Sequence, residues 1–340
     1  MKFPDTIDTV EQLDEVLSRP SKALVQFMRK IEGDILILGA GGKIGPSLAR
    51  LAKRAVDEAG SNIAVTAVDL MPLPALRPLG IRTIACDLLD PKAVNALPDS
   101  PNVIFMAGRK FGSTGGEHMT WAINVMVPHN VARIFTRSRI AVFSTGCVYP
   151  LMDVKTGGAT EKTPPEPVGE YAQSCLGRER MFEYFSRVAG ERVVQIRLNY
   201  SVELRYGVLF DVGWKIRNGE PVDVTTGHAN VIWQGDACSQ ILRSLDLAST
   251  PPAALNVTGP ETISIRETAH TFGRLLKKKV RIVGRENGKG YLSNASKAAR
   301  LYGKPSVPPR RVIELIAHWL RIGGETLGKP THFEVQNGKY

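Results

Sequence analysis

Asp34-Ile-Leu-Ile-Leu-Gly-Ala-Gly-Gly-Lys-Ile-Gly45 is the stretch that decides the fold. Ile35 to Leu38 form a short apolar run, as in a buried strand of a parallel sheet. Gly39, Gly42 and Gly45 follow at three-residue spacing, with Lys43 and Ile44 inside the loop. Leu48, Ala49, Leu51, Ala52 and Ala55 then recur at helical spacing. Strand, glycine turn and helix together form a dinucleotide cradle. Glycine adopts positive φ at little steric cost. Its missing side chain lets a pyrophosphate approach the first helix amides, where the dipole favours negative charge.

Working outward, Ile63 to Asp69 reads as a second strand ending in an acid. A carboxylate there accepts hydrogen bonds from adenosine ribose hydroxyls and repels a 2′-phosphate, so NAD is expected rather than NADP. Lys43 argues the other way, as a cation in the loop that could meet such a phosphate. Ile81–Cys86, Asn102–Met106, Ile140–Phe143 and Val193–Leu198 supply further strands. Helical patterns at Met119–Arg137 and Tyr171–Val188 alternate with them. The expected fold is α/β, a doubly wound parallel Rossmann sheet with a smaller C-terminal substrate-binding cap.

Four segments follow from this pattern. Residues 1–33 form a helical extension, with Thr9 and Gln12 as a capping box. Residues 34–199 form the Rossmann domain and 200–325 the cap, interleaved with late Rossmann elements. Residues 326–340 are polar and read as an extended tail.

The chain of 340 residues carries a formal charge of +11. Its basic residues are dispersed, with Lys277 to Lys279 the longest run, so no nucleic-acid partner is expected. The excess charge is instead a general pull on anionic substrates. No run approaches the roughly 18 apolar residues of a membrane span, and no membrane partner is expected. The start, Met-Lys-Phe-Pro-Asp, has no apolar segment like a signal peptide, so the expected location is cytoplasmic. Cys86, Cys147, Cys175 and Cys238 are scattered, form no metal-type pair and are expected as reduced thiols. No metal site is expected.

As a set, Gly39-Ala-Gly-Gly-Lys-Ile-Gly45, Asp69, Asp87-Leu88, Ala107-Gly108, Asn124, Ser144-Thr145-Gly-Cys-Val-Tyr149 and Tyr171 resemble the extended short-chain dehydrogenase/reductases. The resemblance is to their NAD-dependent epimerase/dehydratase group and spans residues 34 to 320. It implies that Gly39, Gly42 and Gly45 seat the pyrophosphate of NAD, together with Lys43 and Ile44. Asp69 would hold the adenosine ribose and Asp87 and Leu88 would flank adenine. Ala107 and Gly108 would lie on the nicotinamide side. Thr145 and Tyr171 take the family's catalytic positions, with Tyr171 also beside the cofactor. Arg109, Thr145, Asn199 and Trp233 are the substrate candidates, with Trp233 reading equally as pocket or core. The implied substrate is a sugar, sugar nucleotide or sugar derivative, and the implied assembly is a homodimer through the helices at 119–136 and 170–188.

The chain departs from that pattern at three places. The family motif is Tyr, three residues, Lys; here it is Tyr171-Ala-Gln-Ser-Cys175. That lysine supplies a charge worth roughly 3 kcal/mol to a phenolate about 5 Å away at an effective dielectric near 20. Arg178 is the nearest replacement on the same helix face, and Arg109 and Lys110 are alternatives. Gly146-Cys147 stands where sugar 4,6-dehydratases carry Asp-Glu, which disfavours that elimination. Arg197-Leu-Asn199 is one residue shorter than the family's Arg, two residues, Asn. Cys175 reads as a small buried thiol, Asn124 as a structural residue, and His118 and His228 as solvent-exposed. Two functions remain: an NAD-dependent oxidoreductase or epimerase, and an NAD-binding sensor or scaffold with lost or reduced catalysis.

Overall fold

The computed structural model describes residues 3–339. Seven parallel strands form the central sheet: β1 Ile35–Leu38, β2 Val65–Asp69, β3 Arg82–Ala85, β4 Asn102–Phe105, β5 Arg139–Thr145, β6 Arg192–Leu198 and β7 Ala253–Val257. Their spatial order is β3-β2-β1-β4-β5-β6-β7. Ile35 is in register with Val65 on one side and Asn102 on the other. The winding therefore reverses between β1 and β4, and the crevice at such a reversal is where open α/β sheets bind ligands. Their four-residue runs, Ile-Leu-Ile-Leu and Asn-Val-Ile-Phe, are buried throughout. Apolar residues on both faces suit strands covered by helices on each side.

Two layers cover the sheet. Ile35, Ile37, Ile104 and Ala141 pack on one face with Leu48, Leu51, Ala52 and Ala55 of α3 (Gly45–Ala59). Leu36, Leu38, Phe105 and Val142 pack on the other with Val127 and Val131 of α6 (Val127–Ile134) and Phe182 of α7 (Gly169–Ala189). Pro46 opens α3 and Gly60, in the left-handed region, closes it. A third core belongs to the cap. There α8 (Val208–Arg217), α10 (Ile265–Leu276) and α12 (Pro309–Arg321) pack through Leu209, Val212, Phe272, Ile316 and Leu320.

The extension at the start of the chain ties these cores together. Thr9 Oγ1 accepts the Gln12 amide, and the Gln12 side chain accepts from Asp8 N–H rather than Thr9 N–H. Leu13, Val16 and Leu17 of α1 (Val10–Leu17) enter the cap core. Leu24, Phe27 and Met28 of α2 (Lys22–Met28) enter the Rossmann core. Each such side chain contributes about 1.5–3 kcal/mol by burial.

Residues 326–339 form no helix or strand, yet they are packed. Phe333 is buried in the cap core, and Thr331 donates both its N–H and its hydroxyl to Asp211 (2.7 and 2.5 Å). Gln336 donates to Thr226, and Lys215 pairs with Glu334. This segment is a strap over the cap.

Candidate functional site

The glycine loop leaves β1 where the strand abuts β4. Gly39 has φ +87°, and a Cβ there would stand 2.5 Å from the Ala107 backbone. A Cβ on Gly45 would stand 2.2 Å from Ala40 O, so both positions require glycine for packing. Gly42 differs, since an added Cβ would meet only Gly39 O at 3.7 Å. That opening, beside the first turn of α3, is the face a pyrophosphate needs. Asp69 ends β2 and accepts Gly41 N–H through Oδ2 at 2.7 Å. Its other oxygen makes only a long contact, 3.4 Å from Met71 N. A carboxylate accepts at both oxygens, so a ribose hydroxyl fits here. Asp87 is exposed and its Oδ1 accepts Leu89 N–H, while Leu88 is buried in the helix-side core. The residues present therefore fit a dinucleotide.

A cleft of about 230 Å³ opens beside this loop, walled by Gly108, Lys110, Thr145, Tyr171, Arg178 and Tyr206 among others. Thr145 ends β5, and its Oγ1 accepts Cys147 N–H at 3.1 Å. Tyr171 lies in the first turn of α7 and is hydrogen-bonded to Thr145. Burial raises its phenol well above the ordinary value, and the thiols of Cys175 and Cys147 add to that. Arg178 and the Thr145 hydrogen bond pull the other way. Burial likewise pushes the Cys175 thiol up to about 11, against the opposing pull of Arg178. A thiol so placed is neutral at pH 7, which is poor for a nucleophile.

Arg178 is the cation that the helix spacing singled out. It is 5 % exposed, and its guanidinium donates to Phe143 O and to Asn124 Oδ1, both at 2.7 Å. Among the described residues no carboxylate pairs with it, and its Nε has no partner. The adjacent Glu179 is already taken by Arg197 in a two-pronged pair (3.0 and 2.7 Å) and by Ser144. Gly108 covers the guanidinium, since a Cβ there would stand 2.4 Å from Arg178 Nη2. Burying a cation without a counter-charge costs several kcal/mol.

Asn124 sits in a π-turn, Ala122–Met126, between α5 (Glu117–Trp121) and α6. Its oxygen accepts Arg109 N–H and Arg178, and its amide donates to Arg109 O and Ser174. All four hydrogen-bonding positions of the side chain are filled, as a holding residue requires. Tyr200, also in the cleft wall, has φ +43°, a strained conformation for a bulky residue.

Not every candidate converges on the cleft. Trp233 does not line it; its ring packs edge-on against Phe3 at 6.0 Å in the cap core, the second of the two places its sequence context allowed. Phe3 lies far away in sequence, so no local pattern decides between the two. Arg109 lines the cleft but turns one guanidinium nitrogen to Gly112 O at 3.0 Å. Asn199 lines it too, with its amide donated to Tyr291 O at 2.8 Å. Lys43 turns away from the role of phosphate ligand at Asp69: its ammonium lies over the rings of Tyr206 (3.5 Å) and Phe111 (4.0 Å). His228 is half-buried, with Nδ1 shielded, rather than solvent-exposed. Sequence reasoning missed Phe111, Tyr206 and Thr331. Phe111 directly follows the cations Arg109 and Lys110, which was a usable signal; Thr331 carried none. The four cysteines are buried, and among the described residues none forms a disulfide. Among the described residues no group of His, Cys, Asp or Glu could hold a metal, and no helix is long and apolar enough to cross a membrane.

A doubly wound sheet, a glycine cradle and an acid at the tip of β2 define a Rossmann dinucleotide-binding fold of the short-chain dehydrogenase/reductase type, with a Thr–Tyr pair in the adjoining cleft. Residues 35–203 match the NAD dependent epimerase/dehydratase family, and through this segment the chain belongs to it. NAD is that family's cofactor. No curated protein sequence matches the chain. Among solved structures it is similar to MoeE5 in complex with UDP-glucose and NAD, at 21 % identity and TM-score 0.69, over 86 % of this chain and 99 % of that one. It is also similar to DesIV, a dTDP-glucose 4,6-dehydratase from Streptomyces venezuelae with NAD bound, at 20 % identity and TM-score 0.70, over 85 % and 97 % of the two chains. A third likeness is to UDP-glucose 4-epimerase from Thermotoga maritima, at 15 % identity and TM-score 0.69, over 85 % and 98 %. At these identities the likeness is one of fold.

Proposed function

We propose that the chain is an NAD-dependent oxidoreductase or epimerase acting on a hydroxyl of a sugar, sugar nucleotide or sugar derivative. One observation carries this reading: Thr145, Tyr171 and the unpaired cation of Arg178 converge on one cleft beside the glycine cradle. Gly39, Gly42 and Gly45 would hold the cofactor's pyrophosphate and Asp69 its ribose, with Ala107 and Gly108 on the nicotinamide side. NAD supplies the acceptor and donor of a hydride.

The chain's own residues handle the proton. Burial keeps the Tyr171 phenol protonated at neutral pH, so it meets the substrate oxygen first as a hydrogen-bond donor. It becomes a base only when a cation stabilises the phenolate. Arg178 supplies that charge from one turn beyond Cys175, where the family carries lysine. Thr145 orients the same substrate oxygen. Gly146-Cys147, in place of an Asp-Glu pair, supports oxidation, reduction or epimerisation over elimination. MoeE5 and the Thermotoga maritima epimerase each hold UDP-glucose, which supports a sugar-nucleotide substrate here.

A second reading, an NAD-binding sensor or scaffold, is favoured by one residue, Cys175. Purified protein assayed for bound NAD, for NADH absorbance and for isomer products with a panel of sugars and sugar nucleotides separates the two. Tight NAD binding with neither signal supports the sensor.

We also read the chain as a homodimer. Met119, Trp121 and Met126, together with Tyr184 and Val188 of α7, are exposed apolar side chains on the two helical stretches concerned. Such a patch marks an interface. Sedimentation showing a monomer at micromolar concentration overturns this.

A further inference from the structure

We infer that the substrate carries a carboxylate on the reacting sugar, bound between Lys43 and Lys110 at the Thr145–Tyr171 cleft. The inference rests on the function proposed above and narrows its substrate class to sugar acids.

The cleft walls contain Arg109, Lys110 and Arg178 and no aspartate or glutamate. Lys43, outside the lining and against the Tyr206 side of the wall, adds a fourth cation. Its ammonium is shielded from solvent, has no hydrogen-bond acceptor, and stands 3.5 Å over Tyr206, a ring of the cleft wall. Lys43 and Lys110 share a second ring, Phe111, at 4.0 and 5.6 Å. Lys110 also lies 5.8 Å from the ring of Tyr171. Lys110 thus stands beside Tyr171, Lys43 stands behind the Tyr206 wall and shares Phe111 with Lys110, and Lys329 adds its field to Lys43.

The acid acting on both lysines, Asp211, is committed elsewhere. It accepts both donors of Thr331, whose own carbonyl accepts Lys110 at 2.9 Å. Ring faces attract a cation but offer no lone pair in a hydrogen bond. A buried ammonium left without an acceptor is costly, and like charges nearby add to the cost. A carboxylate offers two acceptor oxygens and a full negative charge, so it relieves both. A neutral hydroxyl relieves only the first.

The cofactor's pyrophosphate is a weaker claimant for Lys43. The open face of the glycine loop is at Gly42, whereas the Lys43 ammonium is turned onto Tyr206, which follows the cap-side strand Ser201–Val202. A substrate diphosphate has other cations to meet. A separate cavity of about 410 Å³ between α8 and the strap carries Lys329 in its wall, together with Arg205 and Lys215, which are paired with acids.

The test is calorimetric titration of NAD-saturated protein at pH 6.5. Probes are D-glucuronate, D-galacturonate and D-mannuronate against the three neutral hexoses, and UDP-glucuronate against UDP-glucose. At least one acid should bind tenfold or more tightly than its neutral counterpart. Lys43→Met should reduce that preference to threefold or less with NAD affinity unchanged, and Lys43→Arg should retain it. Lys110→Met should act in the same direction; because Lys110 also anchors the strap, Lys43 carries the decision. Equal binding of acids and neutral sugars overturns the inference while leaving NAD binding, and the proposed function, standing. A Lys43→Met variant that loses NAD affinity but keeps the acid preference assigns Lys43 to the cofactor and also overturns it. If wild-type protein fails to bind NAD, the proposed function falls. The same titration without NAD then decides the carboxylate preference by the same criterion.

Discussion

Replacing Arg178 by methionine removes a buried cation while keeping a long side chain on α7. Two charge-assisted hydrogen bonds disappear, to Phe143 O and Asn124 Oδ1. Each is worth about 1.5–3 kcal/mol. The substitution also abolishes a charge buried without a carboxylate, which relieves a penalty of several kcal/mol. These effects oppose each other, so the melting temperature should shift little and is not the diagnostic. The diagnostic is Tyr171. A unit charge about 6 Å away at an effective dielectric near 20 is worth about 3 kcal/mol. That corresponds to roughly two pKa units. A cation favours the phenolate, so its loss drives Tyr171 further above its already raised value. With any substrate turned over in the oxidative direction, the alkaline rise of the rate–pH profile should move up by about two units. The rate at pH 8 should fall roughly a hundredfold. Cys175→Lys in the Arg178→Met background returns an ammonium to the family's position and should recover most of the loss. Arg178→Lys, which keeps the charge, should lose much less than Arg178→Met. An unchanged profile in Arg178→Met, with the fold intact by circular dichroism, would refute the assignment of Arg178 as the substitute cation.

Four further outcomes follow from the geometry. Gly42→Val should fold normally, because an added Cβ meets only Gly39 O at 3.7 Å, yet lose NAD affinity at least a hundredfold by calorimetry. Gly45→Val, with a Cβ 2.2 Å from Ala40 O, should instead lower the melting temperature sharply. Glu191, whose two oxygens have no partner, is pushed by burial up to about 9. The native state therefore holds a proton that the unfolded chain loses near pH 4.5, so this carboxyl costs stability as pH rises from there towards 9. Glu191→Gln should stabilise more at pH 7.5 than at pH 5, with a ceiling of about 4 kcal/mol, and an equal effect at both refutes this. Burial lowers Lys43 to about 7, with Lys110 and Lys329 adding to the shift and Asp211 opposing it. Sugar-acid affinity should fall roughly tenfold between pH 6 and 8 as Lys43 loses its proton, and Lys43→Met should flatten the profile.

The sheet was legible because its evidence is local. Ile35–Leu38, the glycines at 39, 42 and 45, and Asp69 each announce themselves within a few residues. The placing of Arg178 beside Tyr171 and Cys175 was legible for the same reason, since helical spacing alone puts it on that face. What stayed hidden depends on distant chain. Trp233 read equally as pocket or core, and the neighbour that packs on it, Phe3, lies more than two hundred residues earlier. The polar C-terminal segment gave no sign that Thr331 and Phe333 would be buried, because Asp211 and Lys110, which bond Thr331, lie more than a hundred residues earlier and the core around Phe333 is assembled from several separate elements. Lys43 was read from its place in the loop, whereas its direction is set by two aromatic rings from other elements. The π-turn at Asn124 has no propensity signal; it exists to satisfy Arg109, Ser174 and Arg178 at once.

The central claim is that the Thr145–Tyr171–Arg178 cleft turns over a sugar hydroxyl with NAD. Its most direct test is to incubate the purified chain with NAD and the sugar, sugar-acid and sugar-nucleotide panel. NADH absorbance is followed and products are separated by chromatography, with Tyr171→Phe alongside. The account predicts NADH or an epimer from at least one member, lost by a hundredfold or more in Tyr171→Phe while NAD affinity persists. NAD binding with no NADH and no altered sugar anywhere in the panel, or turnover that survives intact in Tyr171→Phe, would contradict it.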